Sequence, residues 1–356
     1  MTLQELLSIK INNPDNEIYK LSKQRWDSLA KPLDGLGDFE DIICRTASIQ
    51  GKVFPETGRK ALIIMCADNG IVNEGVTQTG QEVSTQVAGL MGKNKSSVGV
   101  MTKGYPLDVF VYDVGLSGDT PSGVYDRKVC SGTRNFLSEP AMTKEECLAA
   151  VKTGIDAVKK CGDEGYGLIA TGEMGIGNTT TATALLCALT GSEPESCTGR
   201  GSGLSDEGLK RKIGVIKKGL EIYTGGRIPS SKAEVFEVLH SLGGADIAAL
   251  TGVFIAGALY GIPVVIDGLI SAAAALVSER LIPGCREYML ASHLGREQGM
   301  KLILKELSLK SVIHAELALG EGTGAVMLFP LMDMAMSLYL SGTEFESTGV
   351  ERYVRH

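Results

Sequence analysis

GLIATGEMGIGNTTTAT, residues Gly167–Thr183, holds the pattern on which the fold reading turns. Leu168, Ile169 and Ala170 form a short apolar run that reads as a buried parallel strand. Glu173 falls where such a strand ends, and Met174–Gly177 is a turn punctuated by glycine. Asn178 is then an expected N-cap for a helix starting at Thr179–Thr183 and continuing through Leu185 and Leu186. A strand, a glycine turn and a helix N-terminus together suit an anion, because free N–H groups and the helix dipole point the same way. They also suit a plain connection with no ligand. Two familiar phosphate loops are excluded. Asn178-Thr179-Thr180 stands where a Walker A loop needs Lys followed by Ser or Thr, and Gly172, Gly175 and Gly177 miss the G-x-G-x-x-G order.

The same rhythm extends outward. Lys60–Ala67 is a strong strand ending at Asp68-Asn69-Gly70. Glu82–Met91 reads as a helix, Leu107–Val114 as a strand, and Met142–Cys161 as a helix whose start at Thr143 suits a cap. A second glycine loop, Gly199–Leu204, leads into a basic helix opened by Ser205 and Asp206. Ile247–Ile266 is uncharged over the length of a membrane span. Its glycines and Pro263 divide it into a buried helix and a strand ending at Asp267. Val264–Asp267, the small-residue helix Ser271–Ser278 and the short run Met289–His293 continue the pattern. Alternating strands and helices over Lys60–Pro330 predict an α/β fold with a parallel sheet flanked by helices. The expected layout is an α/β domain over 51–330, with 1–50 and 331–356 as helical segments forming a small domain from both chain ends.

The 356 residues are 44% hydrophobic and 22% charged, as in an ordinary globular protein. A net charge of −7 argues against nucleic acid or an anionic membrane as partner. The eight cysteines show no C-x-x-C spacing, and no signal peptide is visible, so a reduced cytoplasm is expected. None of His240, His293, His314 and His356 forms a metal pair at helical spacing. Glu173 and Glu321 stand alone among glycines, and Asp267 ends a buried strand. Such acids are candidates for ligand contacts or general bases. Lys212 follows the second glycine loop, although Lys210, Arg211, Lys217 and Lys218 also suit a solvated face.

At GEMGIGNTTTA the chain resembles the nicotinate-nucleotide–dimethylbenzimidazole phosphoribosyltransferase family. The likeness continues through LAKPLDGLG (29–37), ADNGIVNEGVTQTGQEVSTQ (67–86), GTRNFLSEPAMT (132–143), GRGSGLSDEGLKRK (199–212), VIDGL (265–269) and LGEGTG (319–324). This resemblance implies a Rossmann-like sheet, a homodimer, and no metal or cofactor. It implies transfer of phosphoribose from nicotinate mononucleotide to dimethylbenzimidazole or a related base. The products are α-ribazole 5′-phosphate and nicotinate, in cobamide biosynthesis. Glu321 corresponds to the family's general base, and Glu173 is the expected second acid near the reacting carbon. Lys212 and the amides of Gly201, Ser202 and Gly203 are expected at the 5′-phosphate, with Gly175, Gly177, Asn178 and Thr179 as the alternative anion site. Thr77, Ser84 and Gln86 are expected to line the base pocket, and Asp267 and Ser292 to contact ribose and nicotinate. Departures from the family pattern at Asn69, in the loop Pro32-Leu33-Asp34-Gly35-Leu36-Gly37 and at Met300 bear on which base is accepted: dimethylbenzimidazole, another benzimidazole, adenine or a phenol.

Overall fold

A computed structural model describes residues 1–355; His356, the last residue of the expected C-terminal segment, lies outside the described residues. Six parallel strands form one sheet: β1 (Lys60–Ala67), β2 (Asp108–Gly115), β3 (Tyr125–Asp126), β4 (Leu168–Met174), β5 (Val264–Ile266) and β6 (Met289–Ala291). Their order is β3-β2-β1-β4-β5-β6. The chain therefore runs outward in one direction from β1 and in the other from β4. An open parallel sheet splits its loops at such a reversal and leaves a crevice at the strands' carboxyl ends.

The sheet is buried on both faces because its strands are apolar throughout. Ala61, Ile63, Met65 and Ala67 of β1 join one cluster, in which helices Lys144–Asp163, Asn178–Thr190, Ala245–Tyr260 and Leu269–Leu281 supply the partners. Leu62, Ile64 and Cys66 join the other. The uncharged stretch divides as expected, into a helix ending at Tyr260 and a strand starting at Val264. Its helix lies so close to Lys144–Asp163 that a Cβ at Gly252 would collide with the Val151 carbonyl.

Helices from both chain ends cover the second face. Trp26, Ile43 and Cys44 pack with Phe329, Met332 and Tyr339 over Leu168, Val265 and Leu290. The Trp26 and Tyr339 rings are 4.9 Å apart, and the Tyr339 hydroxyl lies 2.7 Å from the Val53 carbonyl. Each such large apolar side chain contributes about 1.5–3 kcal/mol on burial. The last long helix, Thr323–Ser341, runs through Pro330 instead of stopping there. Pro330 itself is exposed, and the helix continues past it with one intrahelical hydrogen bond fewer.

Candidate active site

Six chain segments meet above the carboxyl ends of β4, β5 and β6. They enclose a cavity of about 240 Å³ lined by Thr77, the run Glu173–Thr179, Arg200–Ser202, Asp267–Ser271, His293 and Leu317–Gly320, among others. Most of the residues singled out in the sequence are on this wall: Glu173, Gly175, Gly177, Asn178, Thr179, Gly201, Ser202, Thr77 and Asp267.

One end of the cavity suits an anion. Helix Asn178–Thr190 begins there, and its N-cap is Gly177, with φ 96° and no side-chain cap bond. Asn178 is thus not the cap, which corrects the sequence expectation. Its side-chain amide is spent on two carboxylates, Glu173 and Asp246, the latter at 2.9 Å. Beneath the helix's first turn lies Lys212, 1% exposed, whose ammonium donates to Thr179 Oγ1 at 2.7 Å. Burial pulls the Lys212 ammonium down to about 8. A buried lysine satisfied only by a neutral hydroxyl is poised for an anion at the first turn. Gly201, with φ 54°, brings the second glycine loop over it: a Cβ there would lie 3.6 Å from Nζ.

Acids stand beside that helix start. Burial pushes the Glu173 carboxyl up to about 8, with the charges of Asp246, Asp267 and Glu321 adding to the shift against the bond from Asn178. Burial also raises Asp246, to about 6, and Asp267. A like-charged group of carboxylates in a low-dielectric pocket favours added protons or an incoming cation.

Asp267 has a different first task from the one expected. Both of its oxygens accept backbone N–H groups, Gly322 at 3.1 Å and Ala325 at 3.0 Å. It thereby holds the loop Gly320-Glu321-Gly322, in which all three residues have left-handed backbone. For Glu321, at φ 62°, that conformation costs about 1–2 kcal/mol and persists only because the surroundings enforce it. Asp267→Asn turns an amide NH₂ toward one of those donors. It should cost about 1–3 kcal/mol in denaturant unfolding, read from the midpoint at constant slope.

Glu321 itself is not on the cavity wall. The loop crosses β4 so closely that a Cβ at Gly172 would lie 2.8 Å from the Glu321 carbonyl, and one at Gly320 would lie 2.8 Å from Glu173 Oε1. The Glu321 side chain then leaves on the second-face side, where its carboxylate accepts the Val98 N–H at 3.1 Å. That N–H belongs to a short helix, Ser97–Met101, that the sequence reading missed. The two glycine-embedded acids therefore have different partners, Asn178 for Glu173 and the Val98 N–H for Glu321.

Other expected residues are placed differently as well. Ser292 is fully buried; its hydroxyl donates to the Ile266 carbonyl at 2.7 Å and meets His293 Nδ1 at 2.9 Å, so it supports the wall without lining it. Ser84 Oγ accepts the Ile176 N–H at 3.0 Å and props the glycine turn from below. Gln86 is exposed on its helix, away from the cavity. Gly203 is off the wall too, its carbonyl taken by Gln78. Sequence reasoning passed over Asp246 as a site residue. An acid in the first turn of an apolar helix is ordinary dipole complementarity, which masked its contact with Asn178. His293 and Glu297, both on the wall, were likewise not assigned.

Comparison with known proteins shows the family. A family model described as "Phosphoribosyltransferase" matches residues 11–350. The nicotinate-nucleotide–dimethylbenzimidazole phosphoribosyltransferase of Acetivibrio thermocellus is 41% identical over 358 aligned positions, covering 99% of each chain. The enzyme of the same name from Clostridium acetobutylicum is 39% identical, again over 99% of each. The crystal structure of CobT from Thermus thermophilus superposes with a TM-score of 0.87 at 38% identity, covering 95% of this chain and 100% of that one. Similarity in sequence and in fold spans nearly the whole chain, and the chain belongs to this phosphoribosyltransferase family.

Proposed function

We propose that the chain transfers phosphoribose from nicotinate mononucleotide to dimethylbenzimidazole or a related base, in the cytoplasm. The products are α-ribazole 5′-phosphate and nicotinate, as cobamide biosynthesis requires. One observation supports this most: a single cavity walled by Glu173, Asp267 and the N-terminus of helix Asn178–Thr190, with Lys212 off the wall but buried behind Thr179 of that helix's first turn. A mononucleotide with a cationic pyridinium at C1′ and a phosphate at C5′ has the complementary polarity.

The chemistry follows from that placement. An azole nitrogen attacks C1′, the C1′–nicotinate bond breaks with its electron pair going to the pyridine nitrogen, and the configuration inverts. Positive charge builds on the ribose in between, and the Glu173 carboxylate stabilises it. The attacking ring's other nitrogen loses its proton to the Glu321 carboxylate. Glu321 is held by a single N–H, from Val98, and in this reading the azole replaces that N–H as its partner.

Nicotinate release, followed with and without added dimethylbenzimidazole, tests the reading. Release that requires the azole and yields ribazole phosphate supports it. Release without the azole indicates a nucleotide hydrolase, and tight binding with no release under either condition indicates a silent nucleotide-binding protein. Lys212→Met should raise KM for nicotinate mononucleotide about 10–100-fold while kcat changes little, the value of a charged hydrogen bond to phosphate. An unchanged KM would place the phosphate elsewhere.

The functional unit in this reading is a homodimer. Met327, Leu331, Met334 and Leu338 form an exposed apolar stripe along helix Thr323–Ser341, with Met334 71% exposed. Leu90, Val100 and Met101 are exposed apolar residues as well. Contiguous apolar surface of this kind marks an interface. Met334→Glu should shift the sedimentation coefficient to that of a monomer; an unaltered species would exclude this stripe.

A further inference from the structure

Glu173 and Asp246 belong to different elements, β4 and helix Ala245–Tyr260, yet they share one partner. The two hydrogens of the Asn178 side-chain amide go to Glu173 Oε2 and Asp246 Oδ2. The remaining Asp246 oxygen accepts the Ile247 N–H at 3.0 Å. The bridge is tightly enclosed. A Cβ at Gly175 would lie 2.7 Å from Asp246 Oδ2 and 3.1 Å from Asn178 Nδ2, so only glycine admits the turn beside it. Asp246 is fully buried and Asn178 nearly so. Further acids face the pair from the surrounding elements. Asp68 at the end of β1 bears on Asp246, while Asp267 after β5 and Glu321 before helix Thr323–Ser341 bear on Glu173. His293, after β6, faces Asp267, and Lys212 is engaged with Thr179. Among the described residues, no salt bridge pairs a cation with Glu173 or Asp246.

We propose that Asp246 is a positioning residue for the transfer reaction: through the Asn178 amide it aims Glu173 into the cavity, and its charge, added to burial and against that amide bond, keeps a proton on Glu173 until a cationic ligand arrives. Three constraints produce this behaviour. The amide fixes the direction of the Glu173 carboxylate, which otherwise has rotational freedom at the cavity wall. The Asp246 charge, one amide away, opposes ionisation of Glu173 in a medium too apolar to screen it. The pyridinium of the nucleotide then replaces the proton as counter-charge. The Glu173 proton leaves to bulk water through the cavity mouth, and the carboxylate is ionised when positive charge develops at C1′. Before the nucleotide binds, a proton avoids the cost of several adjacent buried charges. Once it is bound, the same group is the stabilising anion.

The inference rests on the role given to Glu173 above, so its test has an arm that needs no turnover. Difference infrared spectra of the ligand-free protein, recorded across pH, report the carboxylic C=O stretch. The band that disappears in Glu173→Gln belongs to Glu173. In Asp246→Asn, which keeps an oxygen to accept from Asn178 and removes the charge, the midpoint of that band should fall by about one pH unit or more. An unchanged midpoint overturns the proposal, whether or not the protein transfers phosphoribose. The kinetic arm separates aiming from charge. Asp246→Ala should lower kcat about tenfold with KM for nicotinate mononucleotide unchanged, and Asp246→Asn should recover most of that loss. Wild-type kcat in Asp246→Ala, or equal losses in both variants, also overturns it. Loss of azole-dependent transfer in the wild-type enzyme would remove the functional reading alone, because the infrared midpoint still decides this one.

Discussion

Glu321→Gln should lower kcat by about 10²–10⁴-fold, the usual contribution of a positioned general base, while leaving nicotinate mononucleotide binding intact. Geometry is the reason. The side chain leaves a loop that is held in left-handed backbone by the two Asp267 hydrogen bonds, so its Cα position is set by the scaffold. A glutamine fits the same loop and can still accept the Val98 N–H through its amide oxygen. It cannot take a proton from an azole. Chemistry should therefore fail while thermal stability and substrate KM stay near wild type. Acceptors that react as a preformed anion should lose less, since they bring no proton to remove. Undiminished kcat in the variant would exclude Glu321 as the base.

Glu173→Gln is the second large expected loss, about 10²–10³-fold in kcat, comparable with removing one preorganised electrostatic contact to a charged transition state. It also has a stability signature of opposite sign. The Glu173 carboxyl lies above its ordinary range in the folded protein, at about 8, because of burial. The folded state therefore holds this proton more tightly than the unfolded chain does. The resulting stability is fully present below the ordinary glutamate pKa and is lost as pH rises through about 8. Each tenfold gain in proton affinity on folding corresponds to roughly 1.4 kcal/mol at most. Glutamine cannot ionise, so the variant should melt above the wild type at about pH 8–9 and alongside it near pH 4. A melting temperature that tracks the wild type across that range would show that Glu173 is not held protonated.

Much of the scaffold was legible because it follows from local rules. β1 is apolar at every position after Lys60, which only a strand buried on both faces tolerates, and its observed limits coincide with the expected ones. Thr143 and Glu146 form the full capping box that the helix start suggested. Ser205 caps the basic helix as its sequence implies. The glycine turn after β4 was legible as a strand-to-helix connection, but Asn178 shows the limit of local reasoning. An asparagine before a helical run is a good cap on propensity alone. Here two carboxylates from outside the run compete for its amide, and Gly177 takes the cap position.

Side-chain direction was less legible than element type. Glu321 and Glu173 look alike in sequence, each a lone acid in a glycine-rich stretch. The left-handed loop takes Glu321 to the Val98 N–H and off the cavity wall, and no one-dimensional spacing encodes that. Ser84 and Ser292 carry hydroxyls suited to ligand contact, yet both are consumed by backbone partners, because buried turns and strand ends need those bonds satisfied. Asp267 belongs to the same class of residue: it stands on the cavity wall, and its oxygens are engaged in building the loop that carries Glu321.

A crystal structure with the azole acceptor and a non-reacting analogue of the nucleotide tests the mechanism most directly. In it the Glu321 carboxylate should have left the Val98 N–H and should lie within about 2.6–3.2 Å of the azole nitrogen turned away from C1′. A complex in which the azole occupies the site, C1′ is within attack distance, and Glu321 still bonds Val98 beyond proton-transfer reach would contradict the mechanism.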